Sequence, residues 1–244
     1  MGREEIVSLS LFWFVVAWLI PSIIGAVVTF FESRKKKDFI LDEKLVRNFE
    51  RYMRKYLWLY RSLAVVVKNN ISSSASKLFI VDLGIGPGFL SSMLNEIIPS
   101  AKIIGVDIST EMLRHARRNS DARCVLGCSQ SLPIKNNSAD IVVSRFSLTY
   151  WEKPLDCFNE IYRVLKPGGK VVIEALNRDF PRWRLFLLKI HMFSKLARRD
   201  VIKYHSDAYK MAYTIKSVER FLTCLLYTSP SPRDLSTSRM PSSA

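Results

Sequence analysis

Between residues 81 and 88 the chain reads VDLGIGPG, an apolar run carrying one aspartate and then three glycines at alternate positions. Glycines placed there let a backbone turn sharply from strand to helix and let a ligand approach where a side chain would collide. Asp107 closes the next apolar run 19 residues after Gly88, where a carboxylate can accept both hydroxyls of a ribose. The turn has neither a Walker lysine nor the third glycine of a G-x-G-x-x-G dinucleotide turn. It is therefore not built for phosphate. Further along, SRFSLTYW places Ser144, Arg145, Leu148 and Tyr150 at the end of another apolar run, and in an open α/β sheet that end faces the ligand crevice. These residues are candidates for the floor of an acceptor site. His191 and His205 are candidate general bases, although both also fit as ordinary positions on amphipathic helices. Cys124 and Cys128 read as strand thiols, since a metal would need ligands their surroundings do not offer; no metal site is expected.

Such residues need strands to hold them. From residue 77 onward, short apolar runs alternate with helical segments, the pattern of βαβ units around a parallel sheet. Strands are expected at 78–84, 102–108, 122–127, 140–146 and 170–176, and helices at 89–98, 111–118 and 154–165, with Ser109 or Thr110 capping the second helix. Connections this short leave a doubly wound, mostly parallel sheet.

Composition bounds the rest. With 48% hydrophobic and 24% charged residues the chain is core-forming, which excludes disorder and collagen. Lys and Arg number 37 against 22 Asp and Glu, a net charge of +15 that attracts nucleic acid, acidic lipid or acidic substrate. Four cysteines without C-x-x-C spacing favour a reducing compartment over a disulfide scaffold.

The ends differ from the middle. Residues 6–31 form a run of 26 without a charge, longer than the roughly 20 that cross a bilayer core. One transmembrane helix is expected there, after a short extracytoplasmic stretch, 1–5. The cluster Arg34, Lys35, Lys36 and Lys37 follows, so the positive-inside bias puts the remainder in the cytoplasm and makes the chain a single-pass membrane protein. Residues 32–76 read as a basic juxtamembrane helical segment ending in the linker NNISSSAS, with Phe39, Leu45, Phe49, Met53, Tyr56, Leu57 and Tyr60 at helical spacing. Nearness to the span tilts that helix towards the membrane surface rather than towards packing on the following domain, 77–223. A second basic aromatic segment, 181–204, places Trp183, Phe186, Leu187, Ile190, Phe193 and Leu196 or Ala197 on one side; it is a candidate lid or membrane-surface helix. These features account for the charge without nucleic acid.

Four stretches, VDLGIGPG, IIGVDIS, SLPIKNNSADIVVSRFSL and EIYRVLKPGGKVVI, carry a resemblance to the class I S-adenosylmethionine-dependent methyltransferases, especially the small-molecule and quinone type. The resemblance covers about 81–174, more loosely up to 223. It implies a Rossmann-like fold and S-adenosylmethionine as cofactor, with Asp82, Gly84, Gly86 and Gly88 along its methionine end, Asp107 on the ribose, and Ile108 and Met112 against the adenine. It implies methyl transfer, which the span and the basic segments direct to a lipid-like or membrane-associated acceptor, with RNA or protein methylation and cofactor binding without catalysis as alternatives. The family's G-D-A after the third strand is replaced by Gly127, Cys128 and Ser129. A thiol is a poor acceptor, so either Ser129 or Gln130 serves in its place or adenine affinity is lower; Ser144 completes the cofactor set. Residues 224–244, CLLYTSPSPRDLSTSRMPSSA, resemble a translated sequencing adapter. A disordered tail is expected there, and a sheet lacking the last two strands of the family.

Overall fold

The structure, a computed structural model, describes residues 41–71, 78–195 and 197–228. The expected membrane span at 6–31 lies outside them. Among the described residues no helix is long and apolar enough to cross a membrane.

Five strands form one parallel sheet: β1 Phe79–Leu83, β2 Lys102–Asp107, β3 Arg123–Leu126, β4 Ala139–Arg145 and β5 Leu165–Glu174, in the order β3-β2-β1-β4-β5. The order reverses between β1 and β4, the place where a doubly wound sheet opens its crevice. Side chains alternate between the faces. Ile80, Ile141, Val143 and Val172 enter one buried cluster and Val81, Val142, Val171 and Ile173 the other. Helices cover both faces: α3 Phe89–Ile97 and α4 Thr110–Asn119 on the first, α5 Pro154–Val164 and α8 Ile215–Thr228 on the second. Ser109 caps α4 by accepting from the Met112 amide. The chain enters β5 directly from α5, because Leu165 already pairs with Ala139 across a register shift.

The segment expected to lean on the membrane instead helps to build the core. It folds as α1 Glu43–Met53 and α2 Leu57–Asn69, whose Tyr52, Met53, Tyr60, Leu63, Ala64 and Val67 pack in the same cluster as β1 and α3. Its apolar stripe found the sheet rather than lipid. The contact is polar as well: Glu50 of α1 accepts from Asn119 Nδ2 at 3.0 Å and is bonded to His115, while Asn119 Nδ2 also reaches the Pro87 carbonyl at 2.8 Å. Thus α1 is tied to α4, and α4 through Asn119 to the glycine turn.

Residues 181–204 are two helices, α6 Arg182–Ser194 and α7 Arg199–Met211. The expected disordered tail begins at 224, whereas α8 continues to Thr228; residues 229–244 lie outside those described.

Candidate functional site

The glycine turn leaves β1 with Gly84, Gly86 and Gly88 at φ of 76°, 55° and 86°, values that cost an ordinary side chain strain. Gly84 is also a point of close approach, since a Cβ there would lie 2.4 Å from the Ser147 Cβ. At Gly86 the nearest atom to a Cβ would be the Gly84 carbonyl oxygen at 4.0 Å, so this side of the turn is open. The amides of Gly84 and Ile85 donate to the Val106 carbonyl at 2.7 and 3.1 Å, which ties the turn to β2.

Asp107, at the end of β2, accepts from the Gly86 amide through Oδ2 and from the Ser109 amide through Oδ1, both at 2.9 Å. Each oxygen keeps acceptor capacity for a diol. Burial pushes its carboxyl up, and the amides of Ser109, Gly86 and Ile108 pull it back. Asp82 lies deeper, 1% exposed, accepting from Ser91 Oγ at 2.7 Å. Burial raises it to about 7, opposed by Ser91 and assisted by the nearby Asp107. It supports the turn from beneath.

Beside Asp107, Ile108 and Leu126 are exposed apolar side chains, while Met112 is buried under α4. Ser129 Oγ accepts from the Cys157 thiol at 3.2 Å. Gln130 Oε1 accepts from the Cys128 thiol at 3.7 Å, but its buried Nε2 has no partner among the described residues.

The acceptor-side candidates are placed as follows. Ser144 is fully buried, its hydroxyl 2.5 Å from that of Ser147, which donates to the Leu83 carbonyl at 3.1 Å. Arg145 donates from Nε to Glu174 Oε2 at 2.7 Å, with both side chains buried. Its guanidinium lies over the rings of Tyr60, at 4.1 Å, and Phe146, at 4.3 Å. Burial raises the Glu174 carboxyl, with Arg145 opposing. Arg145 Nη2, Glu174 Oε1 and His205 Nε2 have no hydrogen-bond partner among the described residues. Leu148 is buried in the sheet's second cluster, and Tyr150 stacks on Tyr204 of α7, centroids 5.8 Å apart at 18°. Burial, with a smaller push from Asp107, raises the Tyr204 phenol to about 12. Helix α7 therefore packs against the segment that follows β4. His205 is enclosed by Phe49, Tyr52 and Tyr204; burial, then Arg145, lowers it to about 4. His191 lies 3.1 Å from the Tyr56 hydroxyl, which in turn meets the Tyr52 hydroxyl at 3.3 Å. Sequence reasoning missed Glu174, Tyr60 and Tyr204; a charge inside the apolar run KVVIEAL was the available signal for Glu174.

Residues 81–173 match the family model of a methyltransferase domain. Over that segment the chain resembles the class I methyltransferases. The methyl donor of this class is S-adenosylmethionine. The methyltransferase segment is 34% identical over 103 residues to a malonyl-[acyl-carrier protein] O-methyltransferase of Marinomonas sp., covering 41% of this chain and 38% of that protein. It is 34% identical over 99 residues to a demethylmenaquinone methyltransferase of Thermus thermophilus, covering 38% and 45%. The chain spans less than half the length of these curated relatives. A solved structure from Methanococcus maripaludis, named for S-adenosyl-L-methionine-dependent methyl transfer, aligns with TM-score 0.57 at 27% identity over 82% of this chain and 90% of that one.

The methyltransferase crevice fits the donor by its own geometry. Asp107 offers diol acceptors beside the open face of Gly86, Ile108 and Leu126 offer an apolar flat for a base, and the orphaned Gln130 Nε2 is a donor suited to an adenine ring nitrogen. The Cys128 thiol donates to Gln130 Oε1.

Proposed function

We propose that this chain transfers a methyl group from S-adenosylmethionine to a small, lipid-like acceptor presented at a membrane. The observation that carries the reading is the Asp107 carboxylate, fixed by two backbone amides at the mouth of a glycine turn whose outer side is open. The bound donor supplies an already activated methyl sulfonium. The chain then has to hold, align and exclude water. Asp107 and Gln130 hold the nucleoside end, the turn admits the methionine end, and α7 with Tyr204 covers the crevice. No general base is assigned, since burial holds His205 well below its ordinary value and His191 is engaged by the Tyr56 hydroxyl.

Support for an apolar acceptor comes from the demethylmenaquinone methyltransferase among the relatives and from the aromatic surroundings of Arg145. Support for a single-pass anchor, with the catalytic domain cytoplasmic, comes from the uncharged run at 6–31 followed by Arg34 to Lys37. The test is incubation of the full chain with labelled donor and either total lipid extract or total RNA. Label in the lipid fraction supports the proposal. Label confined to RNA, or to neither fraction, contradicts it.

A further inference from the structure

Helix α6 is apolar on nearly every side. Its inner side is accounted for: Met192 is buried and Leu188 packs against the cluster shared with α1 and α2, and His191 meets Tyr56. Its outer side is not. Trp183, Phe186, Leu187, Ile190 and Phe193 are between 40% and 69% exposed. At about 100° per residue these five fall within an arc of roughly 120°. Arg184 borders one margin and Lys189 the other on the same count. A helix with a wide exposed apolar arc and cations at its margins is the pattern of one lying in a bilayer interface, where long basic side chains reach headgroups while rings enter the acyl boundary.

Two observations favour lipid over other occupants. Basic margins and a net charge of +15 complement anionic headgroups. The described chain also begins beside this helix, with Lys44 sharing a surface hollow with Ala197, Arg198, Arg199 and Asp200, just past the end of α6, and Asn48 donating to Asp200 at 2.6 Å. Along the sequence, the 26-residue uncharged run and the Arg34 to Lys37 cluster precede α1, the helix that shares this hollow. We infer that the outer face of α6 is a docking surface for the anionic lipid bilayer, holding the crevice against the membrane. The inference rests on the membrane part of the reading above and not on methyl transfer.

The experiment uses the full chain reconstituted in mixed phosphatidylcholine and phosphatidylglycerol vesicles, with or without bromine on the acyl chains near the headgroups. Tryptophan emission is compared between the natural chain and Trp183→Phe, and the difference isolates Trp183. Bromination is expected to cut that difference by about twofold or more, as for a ring at the acyl boundary. In the variant Phe186→Ser with Ile190→Ser, whose changes touch only the exposed arc, the loss should shrink. Equal Trp183 emission in brominated and plain vesicles overturns the inference, whether a second copy or the chain's own apolar run covers the arc. A chain that co-floats with vesicles but shows no Trp183 quenching keeps its anchor and loses this surface. A chain that fails to co-float loses both. Cofactor binding by the same preparation reports separately on the methyltransferase reading.

Discussion

The amide of Gly86 donates to Asp107 Oδ2 at 2.9 Å, so the residue that shapes the turn's open side and the residue suited to hold a ribose are one bonded unit. The turn is tied again to the end of β4, where Ser147 lies against Gly84 and bonds to the Leu83 carbonyl. The crevice is thus a junction of β1, β2 and β4, and its shape depends on all three.

Gly84→Ala is expected to lose about 2 to 5 kcal/mol, combining a left-handed backbone with an overlap. The overlap is with the Ser147 Cβ at 2.4 Å. Ser147→Gly removes that atom. Chemical denaturation of the two single variants and the double should therefore show coupling, the double being less destabilised than the sum. Strict additivity would mean that the backbone strain alone sets the cost.

Asp82 should make stability fall as pH rises. Its folded value, about 7, stands above its ordinary 3.8, so between those values the native state holds the proton more tightly than the unfolded chain, and stability is lost towards the upper one. Asp82→Asn removes this dependence. Melting temperatures are expected to favour the variant above about pH 7 and to converge with the natural chain towards pH 4. A gap unchanged across that window would contradict the buried, desolvated carboxylate.

His205 has the opposite sign. Its folded value, about 4, is below the ordinary 6.5, so the unfolded chain takes up the proton first as pH falls, and stability is lost between those values. His205→Phe should flatten this acid limb without stranding a polar group, since Nε2 has no partner among the described residues. The difference between the two denaturation profiles isolates the term from that of Asp82.

The Arg145 and Glu174 pair is a buried charge pair, 2.7 Å apart. Replacing Arg145 with Met alone leaves a buried, uncompensated carboxylate and is expected to cost about 3 to 5 kcal/mol. Adding Glu174→Leu should recover most of it, as apolar replacement of a whole buried pair commonly does. Denaturant midpoints of the single and double variants check this.

Much of the site was legible because short apolar runs and glycine spacing are local signals. Strands β1 to β4 fall within about two residues of the expected bounds, and Asp107 sits at the end of β2 as its spacing required. What was not legible was the partner of each apolar face. Tyr52, Leu63 and Val67 have the same helical spacing whether they meet lipid or a sheet, and only the packing decides for the sheet. Likewise Arg145 and Glu174 each read as a lone charge in an apolar strand. Their pairing follows from the register of β4 against β5, which places them opposite one another, a long-range fact that no local pattern encodes.

The central claim is tested most directly by calorimetric titration of the full chain with S-adenosylmethionine, alongside the Asp107→Ala variant. Hydrogen bonds to a charged acceptor contribute about 1.5 to 3 kcal/mol each, so the natural chain should bind and the variant should bind at least about tenfold more weakly while remaining folded by circular dichroism. Absence of binding by the natural chain, or equal affinity in the two, would contradict the account.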